Sequence, residues 1–138
     1  EIGSGLVGSE MCIRDRNNRE LHRQHIDQLA SQVVRQIEQS YADSDLSPTR
    51  IADSLGMSSA YLGRIFRESM QTSISQYLNQ TRIRRAEELL RETEQPVETV
   101  AGLVGFSNPK YFYVVFKNIT GQTPLQFRKA VHSASEKN

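Results

Sequence analysis

Two stretches of this chain, about fifty residues apart, spell nearly the same pattern. The first reads IADSLGMS over residues 51–58, and the second reads VAGLVGFS over residues 100–107. Each is followed by a tyrosine and an apolar residue, at 61–62 and 111–112, and then by IFR at 65–67 or VFK at 115–117. Because an internal repeat reflects one structural unit used twice, it indicates the architecture before any propensity does.

The repeated unit is typical of two short helices that cross at a steep angle. A small residue at the crossing lets the backbones approach, and Ala52 and Ala101 meet this requirement. Gly56 and Gly105 follow four residues later, where the turn between the helices needs a left-handed conformation. Each copy therefore predicts a helix-turn-helix motif.

The second helix of each motif carries an apolar face. Leu62 and Ile65 in copy one, like Phe112 and Val115 in copy two, are three positions apart and share one side of a helix. The second copy has one more residue between its glycine and this pair, so its second helix is expected to start slightly later.

Helical spacing and end signals continue along the chain. They predict helices over residues 19–39, 48–55, 59–69 and 74–92, and a last helix that ends near residue 131. The end signals are caps followed by proline at 47–48, 108–109 and 123–124, and a closing glycine at 121. We expect an all-α fold of about seven helices, in which two helix-turn-helix subdomains are joined by the long connecting helix. The apolar stripe of the first helix comprises Leu21, Ile26, Leu29, Ala30, Val33, Ile37 and Tyr41. The connecting helix is expected to bury Ile83, Ala86, Leu89 and Leu90. It is expected to expose Arg82, Arg84 and Arg85.

Several motifs resemble the DNA-binding domain of AraC/XylS-type transcription regulators over residues 28–131. They are YAD at 41–43, YLN at 77–79, RI at 82–83, AEELL at 86–90, VGFS at 104–107 and TGQTP at 120–124, with FR at 127–128. The resemblance implies a bacterial regulator that binds double-stranded DNA through both motifs. It also implies an upstream regulatory domain and RNA polymerase as further partners.

The first residues have a different character. LVGSEMCIRD, at 6–15, resembles one reading frame of a sequencing-library adapter, so we interpret residues 1–16 as a translation artefact, disordered and outside the fold. The domains would then be 17–46 for the N-terminal helix and lead-in, 47–92 for the first motif with the connecting helix, and 93–132 for the second motif, with a disordered tail over 133–138. A flexible native leader is the alternative for residues 1–16.

Charge and composition restrict the class of protein. Residues 1–16 hold two basic and three acidic residues, so without them the net formal charge rises from +1 to +2. Residues 106–132 hold four basic residues and no acidic one, and positive charge around the second helix of each motif suits phosphate binding. Taken alone, such a charge run is better explained by a solvated helix face. The single cysteine, Cys12, lies in the suspected artefact, and no apolar run reaches membrane-spanning length. We expect a cytoplasmic domain that makes no membrane contact.

Signals of catalysis or cofactor binding are weak. His22 and His25 share a helix face without a third metal ligand nearby, so solvent exposure is the better interpretation. No motif suggests a nucleophile with a base, and we expect no enzyme activity, metal or cofactor. The helical spacing of the aromatic residues at 61, 66, 77, 111, 112, 116 and 127 favours the core over base stacking.

The resemblance also selects the residues expected to contact DNA. Arg64 has the fork that can bind a guanine edge, with a phosphate contact as its alternative, and Arg67 and Lys117 are expected to bind the backbone. Copy two departs from the family, since Tyr113 and Val114 stand where a small residue and an arginine are usual. The predicted DNA-binding residues are Ser59, Ala60, Gly63, Arg64, Arg67, Asn108, Lys110, Tyr113, Val114 and Lys117. The alternative function is a protein-interaction module that keeps the fold and binds DNA weakly or without specificity.

Overall fold

The computed structural model describes the backbone of residues 2–137 and the side chains of residues 18–133, and this part of the chain is all-helical. Seven helices follow one another, as predicted. They are α1 (Ile2–Ser40), α2 (Pro48–Ser54), α3 (Ser59–Met70), α4 (Ile74–Glu92), α5 (Val97–Leu103), α6 (Pro109–Thr120) and α7 (Pro124–Lys137).

Side-chain caps determine where several helices begin. Ser47, Ser58 and Ser73 each accept a hydrogen bond from the backbone N–H three residues ahead, at 3.1–3.2 Å. Such a cap satisfies one of the N–H groups that the first turn leaves free. Pro96 precedes α5 without a side-chain cap, and α4 has already ended at Glu92 with Thr93 as its cap. The connecting helix therefore ends at the predicted residue, four positions before Pro96.

The first core joins α1, α2 and α3 with the start of α4. Ala52 is fully buried at the crossing, as the steric argument predicted, and Leu62 and Phe66 of α3 are buried beside it. The apolar stripe of α1 covers this motif, except that Leu21 is 61% exposed and lies outside the core. The members of the first core are Ala30, Val33, Ile37, Ile51, Ala52, Leu62, Phe66, Ile74 and Leu78.

The second core repeats the arrangement with α5 and α6 and is closed by α7. Ala101 is buried at its crossing, and Phe112 and Phe116 fill the space that Leu62 and Phe66 fill in the first core. The end of α4 supplies Ile83, Ala86 and Leu90 to this second core. One helix thus contributes to both cores and holds the two motifs on a common scaffold.

Helix α1 extends well beyond its predicted start at residue 19. The backbone of residues 2–16 is helical, whereas disorder was expected there. No proline precedes Pro48, so nothing removes a donor from the ladder of backbone hydrogen bonds. Helix α7 likewise continues past residue 131 to Lys137. Residues 1 and 138 lie outside the described part, and the adapter interpretation and the domain limits stay predictions.

Arg82 was expected to face outward, and that prediction is wrong. Its side chain is buried, and its guanidinium donates hydrogen bonds to the backbone oxygens of Tyr41 at 2.8 Å and Asp43 at 2.9 Å. Burial lowers the pKa of Arg82, and Asp43 and Tyr111 partly oppose this effect. The carbonyls compensate for the loss of water, because each accepts a charge-assisted hydrogen bond.

The turn of the second motif lies directly against this arginine. Gly105 has a φ of +105°, and a Cβ there would overlap the backbone oxygen of Tyr41 and lie 2.8 Å from Nε of Arg82. The ring of Phe106 lies 5.5 Å from the guanidinium carbon. Gly105 therefore serves both the turn and a close approach, and the end of α1, α4 and the second motif meet at this junction.

Candidate nucleic-acid interface

The outer face of α3 presents the residues predicted to contact DNA in copy one. Ser59, Ala60, Arg64 and Arg67 are exposed, and Gly63 is half-buried between them. Together with Glu68 and Ser73 they line an open concavity. The structure thus places the five predicted residues of this motif on one surface, opposite the buried Leu62 and Phe66.

Arg64 is held in place by an aromatic neighbour. Its guanidinium carbon lies 5.6 Å from the centre of the Tyr61 ring, in the geometry of a cation–π contact. Tyr61 is 40% exposed, which corrects the prediction that it belongs to the core. A ring beside the guanidinium restricts the long side chain while its hydrogen-bond donors remain available.

The outer face of α6 differs from that of α3. Lys110, Val114 and Lys117 are exposed, whereas Tyr113 is half-buried and packs against the second core. The Tyr113 ring lies 6.2 Å from Phe112 in an edge-on arrangement. Tyr113 therefore offers the groove less of its surface than the sequence suggested.

Asn108 has a structural task that was also predicted. It is exposed, and its side-chain oxygen accepts a hydrogen bond from the backbone N–H of Lys110 at 2.9 Å, which caps α6. This oxygen is therefore engaged, and the amide N–H₂ is the part of Asn108 that can donate to a base or a phosphate.

Tyr111 is an exposed aromatic residue that was expected in the core. Half of its surface is accessible, and its hydroxyl accepts a hydrogen bond from the Asn79 side chain on α4 at 3.2 Å. Tyr61 occupies the same position in α3, so each of these helices has an exposed tyrosine at its third residue. The repeated tyrosine was the signal in the sequence, but helical spacing alone assigned it to the buried side.

The cations near these helices are not all available to a ligand. Arg82 is buried, and Arg85 donates to the Glu88 carboxylate at 2.6 Å. This hydrogen bond from Arg85 to Glu88 is the main cause that raises the pKa of Arg85. Arg84 is exposed, as expected. The exposed cations on the outer faces of α3 and α6 are Arg64, Arg67, Lys110 and Lys117.

The described side chains do not gather into a metal site. Among them no group of three His, Cys, Asp or Glu residues has suitable geometry, and His22 and His25 are exposed. Within the described residues, no helix combines the length and the apolar character that crossing a membrane requires.

Comparison with known proteins identifies the two motifs. A model of the helix-turn-helix domain family matches residues 51–130, from the first motif through the second and into α7. The chain belongs to the AraC/XylS-type helix-turn-helix family. It is a DNA-binding domain of the kind that transcription regulators carry.

Curated relatives of this AraC/XylS-type domain include the arabinose operon regulatory protein of Escherichia coli. The two sequences are 32% identical over 103 residues, which is 75% of this chain and 35% of the relative. The chain spans about a third of the length of several curated relatives and 14% of the length of others.

Solved structures of similar domains share the fold. The C-terminal domain of AraT, a response regulator from Geobacillus stearothermophilus, is 30% identical with a TM-score of 0.72, and the match covers 74% of this chain and 84% of that one. The DNA-binding domain of AdpA, solved in complex with a target DNA, has a TM-score of 0.72 at 24% identity, with coverage of 79% and 97%. The AraC/XylS-type arrangement of two motifs on one connecting helix is thus common to all three.

Proposed function

We propose that this domain binds bacterial operator DNA in a sequence-specific manner and that α3 and α6 enter two adjacent segments of the major groove. The observation that carries the proposal is the shared scaffold, since α4 contributes to both cores and both reading helices keep an exposed face. The 19 residues of α4 span roughly 28 Å, at about 1.5 Å per residue. This length is close to the roughly 34 Å of one DNA turn that separates successive major-groove segments on one side of a duplex.

Within this proposal, the exposed side chains divide into two classes. Arg67 and Lys117 follow the buried Phe66 and Phe116 at the same position of each helix, and they would bind phosphates. Phosphate contacts set affinity and register but carry no sequence information. Arg64, held beside the Tyr61 ring, would bind the two acceptors of a guanine edge.

The proposal includes control by a regulatory domain and contact with RNA polymerase. It is supported by the relatives, which are named as operon regulators and are about three times as long as the segment they share with this chain. A domain that binds the bacterial chromosome would act in the cytoplasm. Transcription from an operator template by purified polymerase, with and without the protein, tests the polymerase contact.

Selection from a pool of randomised duplex DNA tests the binding function. We expect a bipartite motif, because two reading helices share one scaffold. Affinity for the selected site should fall steeply with salt, with a slope of log K against log salt of about −3 to −4 if four phosphates are contacted. A scrambled duplex of equal length is the control and should bind at least about 1,000-fold more weakly.

Two results would contradict the proposal. Equal affinity for selected and scrambled duplexes would favour the alternative, a protein-interaction module with non-specific DNA binding. An absence of salt-dependent binding to any duplex would exclude DNA as the ligand.

A further inference from the structure

The helices α3 and α6, which we propose enter the major groove, have the same length and have their start and end signals at equivalent positions. Both have 12 residues, α3 begins after the cap Ser58 and α6 after the cap Asn108, and left-handed Gln71 and Gly121 end them. A constant offset of fifty positions therefore relates the two helices. Val114 of α6 stands where α3 has Arg64.

The two helices share an exposed tyrosine three residues before this position. In α3, Arg64 lies beside the exposed ring of Tyr61, and in α6 the equivalent pair is Val114 and Tyr111. Val114 is 56% exposed and Tyr111 is 50% exposed. An exposed valine alone is common on protein surfaces, but this one lies one turn from Tyr111 on the outer face of a reading helix.

The cations around Val114 favour a nucleic-acid ligand for this apolar spot. Lys110 and Lys117 are exposed four positions before and three positions after it, so they flank it on the same helix face. Lysine ammonium groups suit phosphates, which border the major groove on both sides. Between them, Val114 has no hydrogen-bonding group and can interact only with an apolar atom of a base edge.

The major groove offers one apolar group, the C5-methyl of thymine. We propose that Val114 makes α6 select a thymine at the centre of its segment, whereas α3 selects a guanine at the equivalent position through Arg64. The inference rests on the proposed function and adds to it the base composition of each half of the operator. The half bound by α6 should require an A·T pair in which a methyl group faces the protein.

Replacing thymine by deoxyuridine tests this inference, because it removes only the methyl group. On the selected operator, one such replacement in the α6 half should weaken wild-type binding about fourfold, the factor that corresponds to about 0.8 kcal/mol for one buried CH₂-sized group. A deoxyuridine replacement between the two segments that α3 and α6 contact is the matched control and should change affinity less than twofold. The variant Val114→Ser, which has no methyl group, should bind thymine and deoxyuridine operators with equal affinity.

A second variant tests the equivalence of the two helices directly. Val114→Arg, selected on randomised DNA, should replace the preferred thymine by guanine at that position and leave the α3 half of the motif unchanged. Circular dichroism checks that both variants fold, which we expect because Val114 is exposed.

The outcomes separate this inference from the proposed function. If wild type selects no motif, the proposed function fails and the inference fails with it. If wild type selects a motif but no deoxyuridine replacement in the α6 half weakens binding, operator binding stands and methyl recognition by Val114 is overturned. A Val114→Arg motif identical to that of wild type would also overturn it.

Discussion

At single positions of this domain, backbone conformation and the space for a side chain both restrict which residue is tolerated. The two restrictions can be measured separately. Gly56 and Gly105 hold equivalent turns with φ of +70° and +105°. A Cβ at Gly56 would meet nothing within 4 Å, whereas a Cβ at Gly105 would overlap the Tyr41 backbone oxygen. The repeat makes each glycine a control for the other.

We predict that Gly105→Ala destabilises the domain far more than Gly56→Ala. The Gly56 variant should lose about 1 kcal/mol, the cost of a left-handed alanine. The Gly105 variant should lose about 3 kcal/mol or more, because overpacking against Tyr41 and Arg82 adds to that cost. Urea unfolding measures the stability of both variants. Similar losses would show that Tyr41 and Arg82 move aside for the added Cβ at little cost.

The ends of α3 and α6 provide a second matched pair. Gln71 has a φ of 63°, in the left-handed region that a non-glycine residue adopts at a cost, and Gly121 occupies the same position after α6 with room for a Cβ. We expect Gln71→Gly to raise the free energy of unfolding and Gly121→Ala to lower it, each by about 1 kcal/mol. Thermal and urea unfolding should agree in the sign of each change. A Gln71→Gly variant less stable than wild type would show that the left-handed conformation of Gln71 does not cost stability.

At the level of helices, the crossings inside each motif depend on a small side chain. Ala52 and Ala101 are fully buried where α2 meets α3 and α5 meets α6. Ala52→Leu or Ala101→Leu should separate the helices and cost about 1 to 3 kcal/mol. Ala130→Leu, at an exposed position of α7, is the control and should change stability by less than about 0.5 kcal/mol. Wild-type stability in both core variants would argue against these crossings.

The junction between the motifs depends on one arginine of α4. Arg82→Met keeps the apolar stem but leaves the Tyr41 and Asp43 carbonyls without their donor, so it should cost about 2 to 4 kcal/mol. Arg84→Met changes the exposed neighbour on the same helix and should cost less than about 0.5 kcal/mol. Chemical unfolding compares the two variants, and equal effects would mean that the Arg82 contacts are dispensable.

This loss should not depend on pH near neutrality. Burial lowers the folded-state pKa of Arg82, so the folded state would release this proton before the unfolded state, and the free energy of unfolding would rise only as the pH passes through that pKa. An arginine remains protonated far above neutral pH in the folded and the unfolded state alike. The difference between wild type and Arg82→Met should therefore be the same at pH 6 and pH 8.

For the whole molecule, the question is how two motifs on one scaffold share recognition of DNA. Arg64→Ala should cost about 1 to 3 kcal/mol on the selected operator and relax the preference at one base step. Lys117→Ala should weaken binding to all sequences alike and reduce the salt slope by about one unit. Selection and salt titration with both variants decide between these roles. If Arg64→Ala selects the wild-type motif, Arg64 binds phosphate instead.

Local spacing was sufficient to predict most of the architecture. Helix α4 was predicted with the bounds it has, and the cap-then-proline signal placed the starts of α2, α6 and α7, because capping and turn conformation involve residues only a few positions apart. The alanine and glycine of each repeat predicted both turns for the same reason. The outward faces of α3 and α6 followed once the buried pairs were assigned.

Contacts between distant parts of the chain decided the rest. Arg82 bonds the Tyr41 carbonyl across 41 positions, so helical periodicity alone placed this arginine on the wrong side of α4. Tyr61 and Tyr111 occupy positions with core spacing, yet they are exposed, and in Tyr111 a hydroxyl bond to Asn79 on another helix accompanies that exposure. Periodicity describes one helix at a time, whereas burial depends on which neighbours the tertiary structure brings to each face.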